Sequence, residues 1–281
     1  MTLLSHATTR LRMLFTTIFT PMLIAATALK VIVAMPGGPG DTVSAEKPLM
    51  HLFALWENNA GLPAHTLAGT YYPQHQAAEE ALAAETPQIL ALTPAAFFAR
   101  EKSLKLTPIA QIAVNHSPSE TGYIVVRKET PDDVQALKGK IVLTTLLSDP
   151  SSKSLFTLAD GTPLATFVKL EYERSPLSSL KKLRAQEVFA VLLDESQWNG
   201  LEQLPFAAEM KQLTKTQPFP RPIIAVTPQV DKGVVAQLQK GLLALNRDAS
   251  AKDLLSQFSV DSFVLPDEAL LQKARKRFHS K

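Results

Sequence analysis

The sequence predicts an α/β fold with two lobes, mainly parallel sheets flanked by helices, and a cleft between the lobes. Two observations support this prediction. The chain of 281 residues is longer than the ~100 to 200 residues of one ordinary domain. Short apolar runs also alternate with helical patterns in two successive cycles, which is typical of repeated β-α units.

The first cycle begins with a buried strand at 31–35, followed by a turn rich in Pro and Gly. Apolar residues at three- and four-residue spacing then predict a helix over 46–59. The rest of this cycle predicts strands at 64–70, 89–92, 106–114 and 123–127, and helices at 74–84 and 94–102.

The second cycle begins after Lys128. It predicts strands at 141–147, 167–172, 188–193 and 223–227, and helices at 132–137, 176–186 and after Ser152, the last containing Leu155, Phe156 and Leu158. The C-terminal third predicts helices at 231–246, 251–258 and 267–277. We assign 29–127 and 223–281 to lobe 1 and 128–222 to lobe 2, with crossings near 127–130 and 220–223.

Residues 1–28 have the pattern of a secretory signal peptide. Arg10 and Arg12 precede an apolar run, and small residues end it at Ala28. The run is shorter than the ~20 residues that a membrane-spanning helix needs. We expect cleavage after Ala28 and export; the alternative is a leader retained as an N-terminal anchor.

The net charge of +3 belongs mainly to this leader, which holds two arginines and no acidic residue. The remaining chain is nearly neutral, so it lacks the electrostatic footprint of a nucleic-acid-binding protein. Cysteine is absent, which excludes thiolate metal sites and cysteine nucleophiles.

No catalytic or cofactor motif is present in the sequence. There is no Gly-x-Ser-x-Gly, His-Glu-x-x-His, phosphate-binding loop or dinucleotide fingerprint. The histidines are scattered singly, whereas a metal site needs several to converge. We therefore expect no catalytic residue, no metal and no cofactor.

The segment 148–154, Ser-Asp-Pro-Ser-Ser-Lys-Ser, joins a predicted strand to a predicted helix. Free N–H groups at a helix N-terminus favour an anion, and Ser151, Ser152 and Ser154 would add hydroxyl donors. Lys153 would add a positive charge. The alternative is that Asp149 or a serine only caps the helix.

Other residues at predicted strand ends are candidates for the cleft. The turn at 36–40 would offer backbone N–H groups, or serve only as a turn. Tyr71 or Tyr72 would supply a hydroxyl and an apolar face. Asp194 would receive a cationic group, or cap the next helix. Two arginines would pair with an anion or face solvent: Arg174 and Arg221.

Across nearly the whole chain after the leader, the sequence resembles the periplasmic substrate-binding proteins of phosphate, phosphite and phosphonate ABC transporters. These proteins have the type 2 periplasmic-binding-protein fold. The matching segments are Leu-Lys-Gly-Lys at 137–140, Asp-Pro-Ser-Ser-Lys-Ser at 149–154, Thr-Tyr-Tyr at 70–72, Thr-Pro-Ala-Ala-Phe at 93–97, the strand at 123–128 and the strand ending at Asp194.

The resemblance implies an oxyanion held by Ser152, Lys153 and Ser154, next to Ser151, with tyrosines of the first lobe closing over it. Thr93 belongs to a matching segment. The chain departs from the family pattern where Lys153 replaces threonine and where leucine and phenylalanine replace glycine and tyrosine, at Leu155 and Phe97.

The resemblance also implies a function. We expect a periplasmic, monomeric solute-binding protein that captures a small solute, an oxyanion such as phosphate, phosphite or a phosphonate, and delivers it to the membrane permease of an ABC transporter. One alternative is a periplasmic sensory or accessory module of the same fold that signals to a membrane partner. A second is an enzyme on this fold, which the export leader and the missing catalytic motif disfavour.

Overall fold

The computed structural model describes residues 28–280. The predicted leader and its alternative as an anchor lie outside the described residues, except for Ala28. In the described part, no helix combines the length and apolar character needed to cross a membrane.

Strands and helices alternate along the described chain. In chain order the strands are β1 (Leu29–Ala34), β2 (Leu67–Tyr72), β3 (Ile89–Leu92), β4 (Thr107–Ala113), β5 (Ser119–Glu120), β6 (Tyr123–Arg127), β7 (Ile141–Thr144), β8 (Lys169–Tyr172), β9 (Ala190–Leu193), β10 (Met210–Lys215), β11 (Phe219–Pro220), β12 (Ile223–Val226) and β13 (Ser262–Val264). The α-helices are α1 (Thr42–Ala60), α2 (His75–Ala84), α3 (Pro94–Arg100), α4 (Leu164–Phe167), α5 (Pro176–Arg184), α6 (Glu195–Leu201), α7 (Lys232–Leu245), α8 (Ala249–Gln257) and α9 (Glu268–His279). Short 3-10 segments occupy Val134–Leu137, Pro150–Leu155 and Ala207–Glu209.

The first lobe is built on a six-stranded sheet of order β13-β4-β12-β3-β1-β2. On one face, α1, α7 and α8 cover an apolar core that includes Phe53, Trp56 and Leu242. The N-cap of helix α1 is Asp41, whose side chain accepts from the Val43 and Ser44 N–H groups. This cap precedes the predicted start at residue 46 and explains the longer helix.

The second lobe is built on a five-stranded sheet of order β10-β6-β9-β7-β8. The β5-β11 pair, a two-stranded antiparallel ribbon, lies where the chain crosses between the lobes. Strand β6, which the sequence prediction placed in lobe 1, pairs with β9 and β10 in the second sheet. The first crossing therefore precedes Tyr123 and does not lie near 127–130, whereas the return near 220–223 coincides with β11.

The α/β class with two lobes is confirmed, but each sheet mixes parallel and antiparallel pairs. Parallel pairs join β1 to β2 and β3, and β7 to β8 and β9. Strands β6 and β12 enter their lobes from the cleft, so they run against the neighbours that end there. The two crossings thus account for the antiparallel pairs of β6 and β12. Strand β13 adds a further antiparallel pair with β4 that the prediction of mainly parallel sheets also missed.

The predicted helix after Ser152 is wrong. The chain forms only the 3-10 segment Pro150–Leu155, and Leu158 makes an isolated bridge to Thr216. Phe156 is buried against Phe219, with ring centroids 5.1 Å apart. Packing of these apolar residues under the crossing ribbon therefore replaces the helix that their spacing suggested.

Candidate functional site

A cavity of about 540 Å³ opens where the two lobes meet, and residues of both lobes and of the crossing ribbon line it. This volume is typical of small-molecule sites. Part of the lining comes from the carboxyl ends of strands: residues 36–39 follow β1, Thr93 follows β3, Ser148 and Asp149 follow β7, and Asp194 follows β9. Open α/β sheets bind ligands at these ends.

Two hydrogen bonds join the lobes across the cavity. Thr93 Oγ1 donates to Asp149 Oδ2 at 2.6 Å, and Ser148 Oγ donates to the Pro36 carbonyl at 2.7 Å. A Cβ at Gly37, whose φ is 82°, would lie 2.7 Å from Ser148 Cβ. Only glycine therefore allows the lobes to approach this closely at residue 37.

The segment 148–154 divides into residues that line the cavity and residues that do not. Buried Ser152 lines it, together with Ser148 and Asp149. The other predicted anion ligands lie outside the lining: Ser151, Lys153 and Ser154. Because the segment is a short 3-10 turn, it lacks the long helix and the helix dipole on which the prediction depended.

The Asp149 side chain accepts hydrogen bonds from donors within this turn. Its carboxylate accepts from the Ser151 N–H and hydroxyl and from Thr93, and it is only 2% exposed. Ser154 Oγ donates to the Ser151 carbonyl. The capping alternative thus describes Asp149, while Ser152 is left facing the cavity.

The tyrosines of β2 point to opposite faces of the sheet, as alternate strand residues must. Tyr71 lines the cavity, is 2% exposed and donates from its hydroxyl to the Pro39 carbonyl at 3.0 Å. Burial raises the pKa of Tyr71 to about 12. Tyr72 does not line the cavity and packs against a second apolar core cluster, which includes Leu92 and Phe98.

A cluster of charges lies beside the crossing ribbon. Arg221 contacts Glu120 at 3.2 Å and Glu195 at 3.4 Å. Burial raises the pKa of Glu120 to about 7, against the opposing effect of Arg221. Burial likewise raises the pKa of Asp194, whose carboxylate caps α6 by accepting from the Gln197 N–H at 2.8 Å.

Arg174 follows β8 and lines the cavity at its exposed side. Within residues 28–280, its guanidinium makes no ion pair with a carboxylate and donates no hydrogen bond. The guanidinium of Arg221, by contrast, donates hydrogen bonds to the Ser119 carbonyl and to the carboxylates of Glu120 and Glu195. Arg174 is therefore the cavity cation that is available to a ligand.

The described residues include no group of three or more His, Asp or Glu side chains that could hold a metal ion. The carboxylates of the cavity instead contact hydroxyls, backbone N–H groups or Arg221.

The family model for the periplasmic substrate-binding proteins of phosphonate ABC transporters matches residues 52–271 of this chain. The chain belongs to this family. Family members are periplasmic and work with the membrane components of an ABC transporter.

Solved structures share the fold of this phosphonate-binding family member. XAC2383 of Xanthomonas citri, solved with bound ATP, has a TM-score of 0.67 at 17% identity, covering 89% of this chain and 97% of the other. PhnD1 of Prochlorococcus marinus, solved with methylphosphonate, has a TM-score of 0.59 at 14% identity, covering 90% and 97%. A binding protein of an ABC phosphonate transporter from Pseudomonas aeruginosa has a TM-score of 0.59 at 12% identity, covering 89% and 85%. No curated protein matches the sequence.

Among the polar residues of this family member's cavity, the predicted ligands did not include Glu120, Thr145 and Gln197. Glu120 was missed because the crossing was expected later in the chain. Gln197 forms a capping box with Asp194 and donates to Thr145 Oγ1 at 2.8 Å. The sequence pattern that indicates the Asp194–Gln197 capping box is Asp followed three residues later by Gln.

Proposed function

We propose that this family member captures an oxyanion, such as phosphate, phosphite or a phosphonate, in the cavity between its lobes and delivers it to its permease. The observation that carries the proposal is the free guanidinium of Arg174, which lines the same cavity as buried Ser152. A guanidinium presents several N–H donors in a planar fork that matches the oxygens of a phosphonate. The methylphosphonate complex of PhnD1 supports this ligand class.

Each acidic residue of the cavity already has a partner within the protein, which leaves Arg174 free to bind an anion. Asp149 accepts three hydrogen bonds, Glu120 pairs with Arg221, and Asp194 caps α6. The pKa values of Glu120 and Asp194 are raised, so burial favours their neutral forms.

The capture mechanism that we propose is closure of the lobes about the β5-β11 ribbon. Thr93, Ser148 and the 36–39 turn join the lobes in the described arrangement. Ligand contacts made from both lobes would favour this closed state over an open one. The protein would act as a monomer and without catalysis, and the closed form would dock on the permease.

The leader completes the proposal. We propose that residues 1–28 direct export and are removed after Ala28. N-terminal sequencing of the protein from the periplasm tests this, with Leu29 expected as the first residue and Met1 contradicting it.

A thermal-shift screen tests the ligand class. The panel contains phosphate, phosphite, methylphosphonate, sulfate, methylsulfonate and an amino acid. We expect an increase in Tm with one or more of the phosphorus oxyanions, since a ligand that binds only the folded state stabilises it. Stabilisation by the amino acid alone would overturn the oxyanion assignment.

A further inference from the structure

The cavity is not confined to the cleft. It continues into the first lobe, between the sheet and the helices α1, α7 and α8. Side chains of this inner part include Val31, Phe53, Trp56, Ile89, Ile112 and Leu242. We call this part the apolar chamber.

The cavity that includes the apolar chamber is larger than packing would leave by accident. Protein interiors are packed as densely as organic crystals, with few voids larger than a water molecule. The whole cavity measures about 540 Å³, whereas one water occupies ~30 Å³ in the liquid. A small tetrahedral oxyanion at Arg174 would therefore leave most of it unfilled.

The polar groups of the chamber are already satisfied within the protein. Trp56 Nε1 donates to the Leu238 carbonyl at 2.8 Å, and the Tyr71 hydroxyl donates to Pro39. Between residues 28 and 280, the buried polar side-chain atoms that lack a partner belong to Gln111, Thr157 and Ser262, and these residues do not line the cavity. The chamber thus offers contact area but no unused hydrogen-bonding group.

The chamber and the polar mouth form one continuous cavity. By the polar mouth we mean the part of the cavity in the cleft, which includes Thr93 and Ser152. The apolar lining of the same cavity includes half-buried Val33 and Leu52, and also Met35 and Val260. A molecule with its charged group at the mouth therefore has a direct path for an apolar group into the first lobe.

We propose that the solute is an amphiphile, an oxyanion bearing an alkyl or aryl group that fills the apolar chamber. The proposal rests on the proposed function for the position of the anionic group. It adds that affinity comes largely from burial of the apolar group, which scales with the area removed from water.

A chain-length series tests the proposal directly. Calorimetric titration would compare the binding of methyl-, butyl-, hexyl- and octylphosphonate to the protein purified from the periplasm. We expect Kd to fall about fourfold for each added methylene until the chamber is filled. Equal or weaker binding of the longer chains, with methylphosphonate still bound, would overturn the amphiphile proposal and leave the proposed function intact.

The same series with alkyl sulfonates and alkyl carboxylates separates the two proposals. If no phosphonate binds but another head group binds more tightly with each methylene, the phosphorus oxyanion assignment fails and the chamber assignment stands. If no head group shows dependence on chain length, the chamber assignment fails.

Trp56 provides a second readout, located in the chamber itself. The chain holds two tryptophans, and Trp198 lies in the second lobe, stacked on Tyr123. In Trp198→Phe, a hexylphosphonate brominated at its terminal carbon should quench the fluorescence of Trp56, and unbrominated hexylphosphonate should not. Binding of the brominated compound without quenching would show that its alkyl group lies outside the chamber, and would contradict the proposal.

A filling variant completes the test. Val33→Phe adds bulk to the chamber, so it should remove most of the gain in affinity from methyl- to hexylphosphonate, measured as the ratio of the two Kd values. Val43→Phe makes the same change on the surface, where Val43 is 82% exposed, and should leave the series unaltered. Equal chain-length gains in both variants would contradict the proposal.

Discussion

Thr93 Oγ1 lies 2.6 Å from Asp149 Oδ2 and joins the end of β3 in one lobe to the turn after β7 in the other. The same hydroxyl oxygen accepts from the Ala96 N–H at 3.1 Å and caps α3. One side chain thus orders a helix of the first lobe and holds the second lobe against it. The Asp149 carboxylate is thus the acceptor in a hydrogen bond between the two lobes.

Replacement of Thr93 should affect both stability and binding. In Thr93→Ala, loss of the cap should lower the free energy of unfolding by about 0.5 to 2 kcal/mol. Loss of the bond to Asp149 should weaken ligand binding about fivefold or more, since a buried acceptor is left unpaired. Urea denaturation and calorimetric titration measure these effects. Thr93→Ser keeps the hydroxyl and should restore both; failure of serine to restore binding would show that the hydrogen bond is not the cause.

Ser152 and Ser154 form a matched pair for the anion site. Ser152 is buried on the cavity lining, whereas Ser154 lies outside the lining and bonds to the Ser151 carbonyl. Ser152→Ala should weaken oxyanion binding by about 1 to 3 kcal/mol, because the cavity loses a donor. Ser154→Ala should have little effect on titrated affinity. A larger loss in Ser154→Ala would instead favour the family-like arrangement that the sequence suggested.

Arg174 should contribute a salt-dependent part of the affinity. Arg174→Gln should reduce oxyanion affinity about tenfold to a hundredfold, the range for hydrogen bonds to charged groups. The loss should be smaller at high ionic strength, because Arg174 is exposed and its field is screened. Arg184→Gln is the control, since Arg184 pairs with Glu209 away from the cavity. Equal affinities in the two variants would remove Arg174 from the site.

The free energy of unfolding should fall as pH rises from about 4.5 to about 7. In this window folded Glu120, with its pKa raised to about 7, still holds a proton that the unfolded chain has released from a group of ordinary pKa 4.5. The decrease is on the order of 3 kcal/mol, and Asp194, whose pKa is also raised, adds a decrease of the same sign. Glu120→Gln should flatten the profile in urea denaturation, whereas Glu202→Gln on the surface should not. An unchanged slope in Glu120→Gln would contradict this assignment.

Local sequence patterns predicted the positions of the helices and strands more successfully than the pairing of the strands in the sheets. Thr93-Pro94 predicted the start of α3, and the apolar spacing predicted most of α1. The lobe to which β6 belongs was mispredicted, because its apolar run is compatible with either sheet. That choice depends on the pairing of β6 with β9 and β10, which are distant in sequence.

The candidate site was predictable where a residue follows a strand. Asp194 was identified in this way, Ser152 from the segment that joins a predicted strand to a predicted helix, and Thr93 from a segment that resembles the family. All three line the cavity, but their roles as ligands stay predictions. Tyr72 was not separated from Tyr71 because the predicted second strand ended at residue 70. The apolar chamber left no signal, because its side chains have the same pattern as an ordinary core.

The most direct test of the central claim is calorimetric titration of methylphosphonate into the wild-type protein and into Arg174→Gln, at low and high salt. We predict one site per chain in the wild type, and a loss of affinity in the variant that is greatest at low salt. Absence of binding by methylphosphonate, phosphate and phosphite, or equal binding by wild type and variant, would contradict the assignment of an oxyanion to this cavity.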